Sequence, residues 1–307
     1  MSVAVHHRTA TVNGLDVFYR EAGDPQAPAV VLLHGFPTSS HMFRDLIPKL
    51  ADSYHVIAPD MIGFGHSAMP SVDEFDYGFD ALTDVTVGLL DQLGADRFAV
   101  YVQDYGAPVA WRIATRTPHR ITAIITQNGN AYTEGFVKDF WDGLFAYTDD
   151  PTPETEAFAR AALSPGMVRW QYLNGVVDQS LVSPDTWALD QALLDRPGND
   201  AVQLTLFRDY PNNVTLYPRL QQYFRDSQVP LLAVWGANDE IFGPEGAHAF
   251  RRDLPGAEIH LLDTGHFALE SHLEEITGHI RDFLARVGAQ RRRRRSPAGS
   301  SAPTAPR

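Results

Sequence analysis

The 307-residue sequence contains no cysteine. Disulfides, thiolate metal sites and a cysteine nucleophile are therefore excluded. No uncharged apolar run approaches the roughly 18 residues of a membrane span, so no membrane partner is expected. Met1 to Thr9 lacks a basic segment followed by an apolar stretch, so no secretory signal is expected and a cytoplasmic protein is the expectation. The glycines of Gly63 and Gly65 mark a tight loop, but no Gly-x-Gly-x-x-Gly opens a helix there, which removes the dinucleotide fingerprint. The histidines show no clustered ligand spacing, so no metal and no cofactor are expected. Positive charge is also scarce, with a net charge of −13 at pH 7. Arg291 to Arg295 and Arg307 sit in the tail, so the body is more acidic still, which disfavours nucleic acid as its partner.

What remains is an ordinary globular composition, 44% hydrophobic and 21% charged. Its length suits one large α/β unit with an insertion. Asn13-Gly14, between Thr9 and Tyr19, is a hairpin signal. Ala29 to Leu33, His55 to Ala58, Phe98 to Gln103, Ile121 to Thr126, Val229 to Trp235 and Glu258 to Leu262 read as buried strands. His41 to Leu50, Phe79 to Leu93, Ala107 to Arg116, Gly246 to Asp253 and Leu273 to Val287 read as helices between or after them. In the second, Leu82, Val85, Leu89 and Leu93 form a core-facing stripe. The alternation stops between Ala131 and Ser227. That stretch is rich in aromatics and proline, with helix starts suggested at Thr152-Pro153 and Ser183-Pro184. The expected organisation is a core of residues 1–130 and 228–289, a helical cap of residues 131–227, and a disordered tail of residues 290–307.

Three polar residues fall at strand ends in glycine-rich turns. Asp104 lies in Gln103-Asp104-Tyr105-Gly106, where a strand turns abruptly into a helix, the geometry of a nucleophile elbow. The same aspartate would also serve as the N-cap of that helix, and the elbow alone does not choose between the two. Asp239 follows the strand ending at Trp235-Gly236, and His266 follows Asp263 and Gly265. Nucleophile, acid, histidine is the chain order of the α/β-hydrolase triad.

These motifs resemble those of the α/β-hydrolase superfamily, in the branch of epoxide hydrolases and haloalkane dehalogenases, over roughly residues 10 to 287. His34-Gly35-Phe36-Pro37 resembles the oxyanion loop of that branch, and Asp104, Asp239 and His266 sit in its elbow, acid loop and histidine loop. The resemblance implies a mostly parallel sheet flanked by helices, with an inserted helical cap. It implies Asp104 as nucleophile, His266 as base, Asp239 as its orienter, and the backbone N–H groups of Phe36 and Tyr105 as oxyanion donors. His34, Pro37 and Trp141 are expected against a small hydrophobic substrate, with water as the second reactant and a monomer or homodimer as the assembly.

Opening an epoxide needs a proton donor, in this branch a pair of cap tyrosines. Tyr147 and Tyr210 resemble that pair, with Tyr172 and Tyr217 as rivals. A halide needs N–H donors instead. The indole that usually follows the nucleophile in dehalogenases is absent, since residue 105 is tyrosine, and so is the arginine of fluoroacetate dehalogenases. Trp141 would be the replacement indole. Val102, in place of the small leading residue of the elbow, is a further departure. The expected activity is epoxide hydrolysis to a vicinal diol. The alternatives are a haloalkane dehalogenase with the same triad and a non-catalytic small-ligand receptor.

Overall fold

The computed structural model describes residues 3–295. Two antiparallel strands open it, β1 (His6–Val12) and β2 (Leu15–Ala22). They are joined by Asn13 and Gly14, both with positive φ, as a two-residue hairpin turn requires. There follow β3 (Ala29–Leu33), α1 (Ile47–Leu50), β4 (His55–Pro59), α2 (Phe79–Gln92), β5 (Phe98–Gln103), α3 (Gly106–Arg116) and β6 (Ile121–Gln127). The expected helix from His41 to Leu50 is instead a 3₁₀ turn, Ser40–Phe43, and the short α1. Pro48 explains the break: inside a longer helix it would lack an N–H and clash with the preceding turn, whereas near a helix start it is tolerated.

Between β6 and β7 (Leu231–Gly236) the chain forms α4 (Lys138–Asp149), α5 (Pro153–Ala161), α6 (Pro165–Leu173), α7 (Pro184–Leu194), α8 (Asn199–Asp209) and α9 (Pro211–Ser227). Thr152 caps α5 and Ser183 caps α7 through their side chains, each followed by proline. Then come α10 (Pro244–Asp253), β8 (Glu258–Leu262) and α11 (Ala268–Arg295), the last kinked at His272. α11 thus runs into the segment expected as the tail and ends at Arg295. Alanine, glutamine and arginine are good helix formers, and no proline intervenes before Pro297. The rest of the expected tail, residues 296–307, lies outside the described residues.

The eight strands form one sheet in the order β1-β2-β4-β3-β5-β6-β7-β8, parallel from β4 onward. Successive side chains of a strand point to opposite faces. Accordingly Val31, Leu33, Val100 and Val102 join one apolar cluster, while Val30, Leu32, Ala99 and Tyr101 join the other. The first cluster also takes in Trp141, Leu144, Phe207 and Tyr210 from the α4–α9 segment, so those helices share a core with that face of the sheet. The carboxyl ends of β3, β5, β6, β7 and β8 meet beneath them, where an open parallel sheet places its ligand site.

Candidate active site

Asp104 follows β5 directly, with φ of 46°, a left-handed backbone that non-glycine residues rarely adopt. Such strain costs on the order of 1 kcal/mol and is held only where surrounding contacts enforce it. The turn is tight because α3 packs close to β3: a Cβ on Gly106 would lie 2.2 Å from the Leu33 carbonyl oxygen. Val102 fits at the leading position because the residue facing it is glycine. A Cβ on Gly129 would lie 2.9 Å from Val102 Cγ2.

Asp104 is 7% exposed. Its Oδ1 accepts the Phe36 N–H at 2.7 Å, and the carboxylate also accepts the Tyr105 N–H. The N-cap residue of α3 is Tyr105, and Asp104 meets the helix through its backbone carbonyl, which accepts from Ala107. Its side chain is thus free of the capping role and held by the two expected oxyanion donors. Burial pushes its pKa up, against the pull of His266 and of these two N–H groups.

His266 is buried at the end of β8. Its Nδ1 donates to Asp239 Oδ2 at 2.8 Å. Asp239 is fixed in turn: Oδ1 accepts the Ile241 N–H and Oδ2 accepts Asn128 Nδ2, both at 2.8 Å. Burial works to lower the His266 pKa, but the charge and hydrogen bond of Asp239, together with the Asp104 charge, outweigh it and hold the pKa above the ordinary histidine value. Two glutamines complete the mounting. Gln127 Nε2 donates to the His266 carbonyl at 2.9 Å, and Gln103 Nε2 lies 2.7 Å from His266 Nε2. Sequence reasoning missed Asn128, Gln127 and Gln103. The available signal was their position, since each is a polar residue at the carboxyl end of a buried strand.

On the α4–α9 side, Tyr210 occupies the junction between α8 and α9. Its ring packs against Trp141 at 4.5 Å and Tyr105 at 6.0 Å. Burial raises its pKa well above 10, reinforced by Tyr217 and by the Asp104 charge, so it stays protonated. The second tyrosine at this place is Tyr217, whose hydroxyl interacts with that of Tyr210 and accepts from Asn130. Tyr147, expected as its partner, is buried in α4 and its hydroxyl bonds to Arg208. Tyr172 donates to Asp190 and stacks on Phe267. The Tyr105 hydroxyl is buried without a hydrogen-bond partner among the described residues, a donor available to a ligand.

The ring nitrogens of His34 and Trp141 have protein partners. In His34, Nδ1 donates to the Gly35 carbonyl at 2.9 Å and Nε2 accepts the Met61 N–H at 3.0 Å, so it pins two loops together. Trp141 lines the aromatic wall between Tyr210 and Phe242, but its indole N–H is spent on the Ile241 carbonyl at 2.8 Å. Pro37 is buried next to Phe36.

A parallel sheet whose strand ends hold a carboxylate at an elbow, an acid and a histidine defines a class of hydrolase. The α/β-hydrolase fold family model matches residues 28–273, and the chain belongs to that family. It falls in the branch that includes haloalkane dehalogenases and epoxide hydrolases. The chain is 44% identical over 291 residues to an uncharacterized hydrolase of Saccharomyces cerevisiae, covering 92% of this chain and 98% of that one. It is 42% identical to epoxide hydrolase A of Mycobacterium tuberculosis over 118 residues, 38% of this chain and 36% of that protein. Among solved structures, haloalkane dehalogenase DbeA from Bradyrhizobium elkani superposes with a TM-score of 0.78 at 25% identity, covering 94% of this chain and 99% of that one.

Proposed function

We propose that this hydrolase opens epoxides to vicinal diols through an ester on Asp104. The free carboxylate oxygen of Asp104 attacks a ring carbon and the C–O bond of the ring breaks. Tyr210, assisted by Tyr217, gives its proton to the alkoxide that leaves. Water then attacks Cγ of the ester as its proton passes to His266 Nε2, and the charge on Oδ1 is met by the N–H groups of Phe36 and Tyr105. Collapse releases the diol oxygen, which takes the proton from Nε2. The proton left on the regenerated Asp104 carboxyl restores the Tyr210 hydroxyl, so the net reaction is epoxide plus water to diol.

The observation that carries this reading is Tyr210, a buried tyrosine packed against Tyr105, the residue after Asp104, with burial raising its pKa. Haloalkane dehalogenation would use the same Asp104 and His266, and relatives of both kinds support the shared chemistry. Against it, a halide needs a free N–H donor, and the indole of Trp141 already serves Ile241. Diol formation and halide release are to be measured on matched epoxides and haloalkanes, with a single turnover in ¹⁸O-water. Diol formed without label in the first turnover is expected, because water attacks the carboxyl carbon. Label in that first diol, or halide release without any diol from epoxides, would overturn the proposal.

A further inference from the structure

Gln103 is fully buried between the two reacting side chains. Its Nε2 lies 2.7 Å from His266 Nε2, while its Oε1 is buried with no hydrogen-bond partner among the described residues. That oxygen faces Gly35, where a Cβ would lie 2.4 Å from it and 2.6 Å from Asp104 Oδ1. Gly35 thus leaves room for the carboxamide and the nucleophile carboxylate on the same side.

A carboxamide has unlike ends: its NH₂ only donates and its oxygen only accepts. With NH₂ directed at His266 Nε2, that nitrogen must carry a lone pair, and the ring proton must sit on Nδ1 facing Asp239. This is the neutral base. Among the described residues, the charged groups facing the ring are Asp239, from the loop after β7, and Asp104, after β5. The other faces are the rings of Phe242 and Phe267. Both charges favour the imidazolium, and Gln103 opposes them.

We infer that Gln103 is a positioning residue for ester hydrolysis: its carboxamide keeps His266 unprotonated at Nε2 until the hydrolytic water displaces it, and its Oε1 then takes that water's second hydrogen bond. The exchange replaces one hydrogen bond at Nε2 with another, so it costs little. Water held this way donates one proton to Nε2 and one to Oε1, which turns its lone pair toward Cγ of Asp104. The water's oxygen then bonds to Cγ and its first proton moves to Nε2. This role rests on the Asp104 ester proposed above.

The test has two arms. In the first, the His266 imidazole is titrated by ¹⁵N NMR in the full chain without substrate, for wild type, Gln103→Leu and Gln103→Glu. Removing the N–H donor is expected to raise the His266 pKa by about one pH unit in Gln103→Leu, and by more in Gln103→Glu, where a carboxylate faces the ring. In the second arm, single-turnover mass spectrometry separates ester formation from ester hydrolysis. Gln103→Leu is expected to form ester at the wild-type rate and hydrolyse it about tenfold more slowly. Gln103→Glu keeps an acceptor, so its hydrolysis recovers at high pH with the acid limb moved upward. Unchanged titration in both folded variants would overturn the inference, as would equal slowing of both steps. If no ester forms even in wild type, the proposed function fails, while the titration still decides the part Gln103 plays at His266.

Discussion

Two buried carboxylates flank the same loops, and their surroundings differ. Asp104 lies against Phe36 and Asp190 against Thr38, two residues further along that loop. His266 faces the first, and Tyr172, which donates to Asp190, stacks on the next residue, Phe267, at 4.0 Å. Burial raises the pKa of both, that of Asp190 to about 7. Asp104 has two backbone N–H donors and an imidazole facing it. Asp190 has the hydroxyls of Tyr172 and Thr38, and the charges of Glu270 and Asp60 that reach it are repulsive. Glu270 is itself tied to Arg44 by paired hydrogen bonds of 2.9 and 2.8 Å, so that cation is already engaged. Burial alone therefore makes a carboxyl costly to ionise. Fixed donors and a base are what favour the ionised, reactive form of Asp104.

Substitutions should separate the two sites. Asp104→Ala is expected to cost about four orders of magnitude or more in turnover while the fold survives, measured by diol formation alongside circular dichroism. Asp190→Asn should leave turnover within a factor of two, and a large loss there would break the contrast. Next in size, Tyr210→Phe should slow epoxide opening about 10²-fold, whereas Tyr147→Phe should not, as read from the rate of ester formation.

The third effect is on stability. The folded pKa of Asp190 lies above its unfolded value, so its protonated form is favoured by folding. That contribution is whole below the ordinary carboxylate range and is lost as pH rises toward about 7. Asp190→Asn keeps an acceptor for Tyr172 and removes the charge. At pH 8 it should melt about 5 °C above wild type, a gap that closes toward pH 4 in thermal scans. The smallest expected effect is that of Trp141→Phe. It leaves the Ile241 carbonyl without its donor and should cost about 1–2 kcal/mol in chemical denaturation, with no change in halide handling.

Much of the core was legible because its signals are local. The strands β3, β4, β5 and β7 are continuous apolar runs, and each candidate reacting group sits in a turn beside glycine. The α4–α9 segment was less legible. In α8, Asn199, Val202, Gln203, Leu204, Leu206 and Phe207 are all buried, so no single apolar face indicates which way the helix turns. Spacing therefore did not show which cap tyrosine pairs with Tyr210, and it is the packing of α4 and α9 that sets Tyr147 by Arg208 and Tyr217 by Tyr210. His34 shows a different limit. Its motif pointed to the substrate, but the hydrogen bonds that occupy both its ring nitrogens depend on the loop that carries Met61. Gln103 was visible as the last residue of a buried strand, while its partner lies 163 residues away in sequence.

The most direct test of the account is the mass of His266→Gln after exposure to an epoxide that wild type consumes. Without the base, the ester should form and persist. The account expects the folded variant to gain the full mass of the epoxide, with the adduct on the peptide that carries Asp104. A folded variant that gains no mass from that epoxide, or gains it on another residue, would contradict it.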